Sequence, residues 1–274
     1  MPSPRDLYRN RFLSQGYPEL EALGVEYYKN LQGSNPIAGD VLAYVARLID
    51  LSKGVRSIAD VGCGPKPFNV KQLLAMGYDA YGVEPVPGSV EAARAWLGDQ
   101  ARIHQGCAES LPFPDRSQRV IILSTVLEHV DSPEQCLAEA YRVLVPDGVL
   151  YVYTTNRYHF SPTGINDEFR TRFFNWFPAL VKECYVFQHL HYDPRLANFT
   201  PRPAVHWFTY AGLCRLGRSV GFAQFYSKVD LADPGTVFSR SLPRRLLLKA
   251  VARRPWLRAL VLSQTAHIIM WKRP

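Results

Sequence analysis

The sequence predicts an α/β protein whose core is a Rossmann-like, doubly wound sheet. Ser57–Val61 is a short, mostly apolar run, and a glycine-containing turn and a helical pattern over Val70–Met76 follow it directly. Further apolar runs, at Val120–Ser124 and Val149–Thr154, alternate with helical patterns along the chain. Buried parallel strands have such continuous apolar sequences, and their alternation with helices is typical of a sheet covered on both faces.

Two glycines and two acids mark the expected ligand-binding edge of this sheet. Gly62 and Gly64 follow the first strand, where the backbone must turn tightly and let a ligand approach closely. Asp60 precedes them, and Glu84 ends a second predicted strand. An acid at that strand end can accept hydrogen bonds from both ribose hydroxyls of a nucleoside. The strict dinucleotide pattern G-x-G-x-x-G fails, because Pro67 occupies its last position.

Three motifs in the middle of the chain carry a family resemblance. They are the loop Gly106–Asp115, which contains AESLPFPD, the turn Leu127–Val130, which reads LEHV, and Tyr141–Gly148, which contains RVLVPDG. In this order they resemble the class I S-adenosylmethionine-dependent methyltransferases, specifically the ubiquinone-biosynthesis-like (type 11) branch. The likeness is continuous over about residues 58–155. It implies S-adenosylmethionine as the cofactor and a seven-stranded sheet whose last strand runs antiparallel between strands five and six.

Six residues are the proposed cofactor-binding positions: Asp60, Gly62, Gly64, Glu84, Ala108 and Ser124. Three other positions depart from the family pattern. Cys107 stands where many members hold the adenine amino group with an acidic or amide side chain, so the adenine contact would fall to the backbone N–H of Ala108. Lys66 replaces a third glycine, and Arg119 replaces an aspartate before the fourth strand.

The elements of the first half follow from apolar periodicity and capping residues. An amphipathic helix beginning near Ile37 is expected to pack on the sheet. Strand two is predicted at Asp79–Glu84 and strand three at Arg102–Gln105. Between them, Ser89 is predicted to cap a helix over Val90–Leu97.

The second half continues the same alternation. Ser132 and the proline after it predict the start of a helix, and Pro146–Gly148 is predicted to turn from that helix into the fifth strand. Thr209–Val220 is predicted as a helix, followed by strand six at Phe222–Val229. Gln264–Trp271 is predicted as the final strand.

We divide the chain into an N-terminal helical cap, residues 1–54, and a methyltransferase domain, residues 55–274, with two additions. Residues 156–206 are rich in aromatic side chains, which must pack on something or form an exposed patch. Because this insertion follows the fifth strand, beside the expected acceptor position, we interpret it as a substrate-binding cover; a structural extension with its own small core is the alternative. Residues 231–262 are predicted as a basic helical insertion.

The charge of the protein is concentrated near its C-terminal end. No acid follows Asp233, whereas nine basic residues do, which exceeds the whole net charge of +8. This pattern predicts attraction to an anionic surface. No spanning apolar run and no signal-peptide pattern is present, and the five cysteines are scattered, so we expect a cytoplasmic protein, either free or peripheral to a membrane.

Histidine is the obvious base if the acceptor of a methyl group must lose a proton. The candidates are His129, after the fourth strand, and His159, His189 and His191, in the aromatic insertion; His206 lies close by. His129 belongs to a motif shared by members with unlike acceptors, so a structural role is favoured for it. No metal site is expected, because the pair His189 and His191 lacks a third ligand at sensible spacing.

The sequence therefore predicts methyl transfer from S-adenosylmethionine to a small-molecule or lipid- or glycan-like acceptor, with oxygen favoured as the methylated atom. Two alternatives stay open. One is a methyltransferase-fold binding module that meets an anionic partner, a nucleic acid or a membrane surface, through its basic segment. The other is a nicotinamide-dependent oxidoreductase, since Glu84 could bind the ribose of a nicotinamide cofactor as well as that of S-adenosylmethionine. A nucleic-acid substrate is disfavoured, because no N/D-P-P-Y motif is present. The sequence does not indicate the oligomeric state.

Overall fold

A computed structural model describes residues 36–98, 102–156, 172–178, 181, 182, 185, 204, 206–231, 254, 256 and 266–273. Their strands are β1 (Ser57–Val61), β2 (Asp79–Glu84), β3 (Ile103–Gln105), β4 (Gln118–Ser124), β5 (Leu144–Tyr153), β6 (Gln224–Tyr226) and β7 (His267–Trp271). Their helices are α1 (Ala38–Val45), α2 (Phe68–Ala75), α3 (Pro87–Leu97), α4 (Pro133–Val143), α5 (Tyr210–Ser219) and the short α6 (Lys228–Leu231).

The strands form one seven-stranded sheet in the order β3-β2-β1-β4-β5-β7-β6. Neighbours among the first five strands are parallel. Strand β7 is antiparallel to both β5 and β6, between which it lies. The prediction of a Rossmann-like sheet with this reversed last strand is confirmed.

Helices cover both faces of the sheet, as a doubly wound fold requires. Residues of α1, α2 and α3 pack with Ile58, Val120 and Ile122 on one face. Residues of α4 and α5 pack on the other face, against apolar side chains that alternate with the first set along the same strands. Strand β1 is buried along its whole length, which explains why its sequence is mostly apolar.

Strand β5 begins five residues earlier than predicted. Leu144 already pairs with Gln118, and the register then shifts so that Val149 pairs with Val120. The residues Pro146–Gly148 therefore form an irregularity within the strand instead of a turn before it. Within this irregularity, the carboxylate of Asp147 forms an ion pair with the buried Arg119 at 3.2 Å. This pair accounts for an arginine at position 119.

Two other expectations were wrong in detail. Ser89 does not cap α3; the helix begins at Pro87, and Ser89 is buried within it. Proline fixes φ at a helical value, so it starts the helix before the serine is reached. Strand six is confined to Gln224–Tyr226, and Lys228–Leu231, which was predicted in part as strand, is helical.

The described residues leave part of the predicted organisation untested. Most of the N-terminal cap (residues 1–35), most of the aromatic insertion and most of the basic insertion lie outside them. Where the structure describes the chain, no helix is long and apolar enough to cross a membrane.

Candidate functional site

The turn after β1 opens the carboxyl edge of the sheet, where ligands bind in doubly wound folds. Gly62 and Gly64 both have left-handed backbone, with φ of 74° and 67°, which glycine adopts without strain. A Cβ on Gly62 would lie 2.6 Å from the Val126 side chain, so a larger residue is sterically excluded there. A Cβ on Gly64 would meet no protein atom within 4 Å, so this side of the turn faces open space.

Glu84 joins this turn to the end of β2. Its Oε2 accepts a hydrogen bond from the backbone N–H of Gly64 at 3.1 Å, and its Oε1 accepts one from Val86 at 3.2 Å. The side chain is buried, with 7% of its surface exposed. A carboxylate offers about four lone-pair positions, so each oxygen of Glu84 can accept one more hydrogen bond. Two ribose hydroxyls would use the remaining capacity.

Burial raises the pKa of the Glu84 carboxyl, and the two backbone hydrogen bonds act in the opposite direction. Asp60, near the end of β1, is also buried, and burial raises its pKa to about 7; the nearby Glu84 carboxylate adds to this shift. Two acids held close together in a poorly solvated turn repel each other. A cationic ligand at this edge would relieve that cost, and S-adenosylmethionine carries a sulfonium and an ammonium group.

Asn69 is a site residue that the sequence analysis missed. Its side-chain N–H group lies 3.3 Å from both carboxylate oxygens of Asp60. Its Oδ1 accepts hydrogen bonds from the backbone N–H groups of Ile37 and Ala38, at the start of α1. One amide side chain therefore joins Asp60 to a segment more than thirty residues earlier in the chain than Asn69. No local pattern could have indicated this contact, because it depends on how α1 packs on α2.

The loop after β3 contains Ala108, and side chains of α4 form hydrogen bonds with its backbone. Arg142 donates hydrogen bonds to the carbonyl oxygens of Phe113 and Leu111, at 3.0 and 3.2 Å. Glu139 accepts one from the backbone N–H of Leu111 at 2.9 Å and pairs with Arg142 at 2.8 Å. The arginine of the third motif thus acts as a support for the loop of the first motif.

Two further motif acids connect neighbouring loops along the same edge. Glu109 accepts a hydrogen bond from the backbone N–H of Asp131, so it links the loop after β3 to the loop after β4. Glu128 is almost fully buried and accepts a hydrogen bond from Thr154 at 2.6 Å, so it links the loop after β4 to the end of β5. Both acids therefore stabilise the arrangement of the loops at this edge.

The end of β4 includes a strained residue that the sequence did not indicate. Ser124, a proposed cofactor position, is the last strand residue, and its carbonyl oxygen accepts a hydrogen bond from the hydroxyl of Thr125. Thr125 is exposed and has left-handed backbone, with φ of 56°. Such backbone is unfavourable for a β-branched residue and is frequent at functional sites.

The histidine candidates are only partly described. His129 lies in the turn after β4, half-buried, and its backbone N–H donates to the carbonyl of Val126. His206 places Nε2 2.9 Å from the carbonyl oxygen of Val130. Since a carbonyl only accepts, Nε2 carries the proton in this contact. The other candidates, His159, His189 and His191, lie outside the described residues.

The described cysteines and the possible metal ligands form no metal-binding cluster at this site. Cys63, Cys107, Cys136 and Cys214 are free thiols. The part of the chain that the structure describes brings no three potential metal ligands together.

A doubly wound sheet with a glycine turn and a buried acid at the end of β2 defines a nucleoside-cofactor-binding protein of the Rossmann-like class. Residues 59–152 match the model of the methyltransferase domain family, which confirms the resemblance drawn from the motifs.

Named relatives agree with this resemblance. The chain is 32% identical over 155 residues to a ubiquinone biosynthesis O-methyltransferase of Azorhizobium caulinodans, covering 50% of this chain and 60% of that protein. It is 32% identical over 107 residues to a probable S-adenosylmethionine-dependent methyltransferase of Mycolicibacterium smegmatis, covering 39% of this chain and 41% of that protein. The matched segment thus spans less than two thirds of either relative.

A putative methyltransferase of Haloferax volcanii, solved in a complex with the Trm112 methyltransferase activator, has a TM-score of 0.54 and 16% identity. The match covers 93% of this chain and 98% of that one. At this identity the likeness shows the fold. The family match and the named relatives confirm S-adenosylmethionine as the expected cofactor.

Proposed function

We propose that this protein transfers the methyl group of S-adenosylmethionine to a small-molecule or lipid- or glycan-like acceptor. The observation that carries the proposal is the buried Glu84 carboxylate, which is tied to the glycine turn and keeps hydrogen-bonding capacity toward the open side of Gly64. The same carboxylate would suit a nicotinamide ribose, but the methyltransferase family match over residues 59–152 favours S-adenosylmethionine.

Four residues would hold the cofactor. Glu84 would accept hydrogen bonds from the ribose hydroxyls, Gly64 would allow close approach of the backbone, and Asp60 would offset positive charge. Ala108 would meet the adenine ring through its backbone N–H, because Cys107 offers no acidic or amide side chain. When bound, S-adenosylmethionine supplies an electrophilic methyl group on a sulfonium.

The acceptor would bind beyond β4 and β5, beside the residues that follow them. Transfer is an in-line displacement, so placing the acceptor atom on the axis of the breaking bond provides most of the rate enhancement. A hydroxyl acceptor would also need its proton removed, and His206 and His129 are the described imidazoles at this edge. We favour oxygen as the methylated atom, in keeping with the name of the Azorhizobium relative.

For partners, we propose weak peripheral association with an anionic surface, through the basic residues 234–273. The support is their sequence, nine basic residues without an acid. Attraction of this kind weakens with salt, because the Debye length is about 8 Å at physiological ionic strength. Cosedimentation with phosphatidylserine-containing vesicles across a salt series tests it. Arg244, Arg245, Arg253 and Arg254 changed together to Gln should reduce binding, and equal binding of both proteins would overturn it.

Native mass spectrometry of the purified protein tests the proposed function. A protein that turns over S-adenosylmethionine is expected to retain some S-adenosylhomocysteine, and a second bound mass would identify the acceptor class. Detection of a nicotinamide cofactor instead would overturn the proposal. Transfer of labelled methyl groups from S-adenosylmethionine into a lipid extract and into a polar metabolite extract would then distinguish the two kinds of acceptor.

A further inference from the structure

A short aromatic turn, residues 172–177, presents two large rings to solvent. It contains a 3-10 helix, Phe174–Trp176. Phe174 is fully buried, whereas Phe173 and Trp176 keep 49% and 55% of their surface exposed. The two exposed rings lie side by side, with their centroids 5.1 Å apart. Single exposed apolar residues are common, but an adjacent exposed pair of this size is a candidate contact surface.

The exposed ring of Phe173 belongs to a residue with strained backbone. Phe173 has left-handed backbone, with φ of 63°, which is an outlier for a bulky side chain. Glycine or asparagine would adopt it with less strain. Strained backbone of this kind persists where surrounding structure enforces it, and it is concentrated at functional positions.

Buried contacts fix the aromatic turn to the carboxyl edge of the sheet. The Phe174 ring lies 6.2 Å from that of Trp207, and the ammonium of Lys182 lies 5.7 and 5.6 Å from the two rings. The residues on either side of Trp207 donate backbone hydrogen bonds to the carbonyls of Glu128 and Thr155, which follow β4 and β5. The exposed pair is therefore anchored next to the proposed acceptor site.

We propose that the aromatic turn docks on the interface of an anionic phospholipid bilayer, with Phe173 and Trp176 at the level of the headgroups. Tryptophan is favoured there, because its ring is apolar and its N–H remains hydrogen-bonded. The exposed Arg172 beside the pair and the acid-free basic stretch complement a negative surface. The link to catalysis rests on the proposed function, since docking would bring a lipid-like acceptor to the edge that holds the cofactor.

A double variant of the whole chain tests the docking. Phe173→Asn suits the left-handed backbone, and Trp176→Gln removes the second exposed ring. The matched control is Val55→Ser with Met76→Gln, because these side chains are 39% and 46% exposed at the opposite edge of the sheet. Partitioning onto phosphatidylserine-containing vesicles should fall about tenfold in the turn variant, equivalent to about 1.4 kcal/mol, and stay unchanged in the control.

Two further readouts separate loss of docking from loss of folding or of self-association. Brominated phospholipids should quench tryptophan fluorescence of the wild-type chain more strongly than that of a Trp176→Phe variant. S-adenosylhomocysteine affinity should be the same in the turn variant, which shows that it is folded. Equal vesicle partitioning of turn variant and wild type would overturn the docking, as would a dimer of the wild type that the turn variant loses while vesicle binding persists. Absence of S-adenosylhomocysteine binding in the wild type would instead overturn the proposed function.

Discussion

The carboxylate of Glu84 and the backbone N–H of Gly64 are joined by a hydrogen bond of 3.1 Å. Glu84 ends β2 and Gly64 belongs to the turn after β1, so this bond fixes the carboxylate relative to the backbone of the turn. Glu84 therefore supports the turn, and its carboxylate is the proposed ligand for the ribose hydroxyls of the cofactor.

Replacement of Glu84 should weaken cofactor binding. A lost charge-assisted hydrogen bond to a buried ligand costs about 1.5–3 kcal/mol, or roughly ten- to hundredfold in affinity. We expect this loss in Glu84→Ala by calorimetric titration with S-adenosylmethionine. Glu91→Ala, an exposed acid on α3, is the matched control and should bind as the wild type does. Unchanged affinity in a folded Glu84→Ala protein would remove the ribose role.

The protonation of Asp60 should make stability depend on pH. Its pKa is about 7 in the folded protein, because burial raises it, and near 4 in an unfolded chain. Folding therefore takes up a proton between these values, and the free energy of unfolding should fall as pH rises from about 4 to about 7. The slope is at most about 1.4 kcal/mol per pH unit.

Urea unfolding at a series of pH values measures this effect as a difference between the wild type and Asp60→Asn, which keeps the shape of the side chain without its titration. The difference should change through the stated pH range and level off on both sides. A difference independent of pH would show that Asp60 does not titrate there.

Asn69 should contribute more to stability than its neighbour Gln72. Both side chains accept hydrogen bonds from the first backbone N–H groups of α1, but only Asn69 also contacts Asp60. Asn69→Ala should lower the free energy of unfolding by about 1–3 kcal/mol, because it leaves buried partners unsatisfied, and should raise the pKa of Asp60 further. Gln72→Ala should leave that pKa unchanged. Equal pH profiles for the two variants would contradict the link between Asn69 and Asp60.

Arg142 should stabilise the protein mainly through its hydrogen bonds to backbone carbonyl groups. Its exposed ion pair should contribute little to the free energy of unfolding. It supports the loop with Ala108 through Phe113 and Leu111, while its partner Asp115 is 73% exposed. Arg142→Ala is expected to cost about 1–3 kcal/mol of stability and to weaken cofactor binding. Asp115→Ala should cost less than about 1 kcal/mol. Denaturant unfolding of both variants decides this, and equal losses would assign the effect to the ion pair.

The sequence predicted the elements better than the contacts between them. Ser57–Val61 was recognisable as a strand, because a strand buried on both faces is mostly apolar. The position of β7 between β5 and β6 came from family resemblance, since strand pairing is absent from local patterns. Ser89 and Pro87 were competing start signals for α3, and the proline, with its fixed φ, determined the helix start.

The candidate site was predicted in part. Glu84 and the two glycines lie at the strand ends where the sequence placed them, because apolar strands followed by glycines or an acid can be recognised locally; their roles in binding stay predictions. Asn69 and Arg142 were missed as site residues, since their partners lie about thirty residues away and depend on the packing of helices on loops. The left-handed backbone of Thr125 was also invisible, because threonine carries no sequence signal for that conformation.

Calorimetric titration of the wild-type protein with S-adenosylhomocysteine, and separately with NAD, tests the central claim most directly. The buried Glu84, the open side of Gly64 and the family match together predict saturable binding of S-adenosylhomocysteine at one site per chain and no heat of binding with NAD. Binding of NAD alone, or of neither ligand by a folded protein, would contradict this assignment.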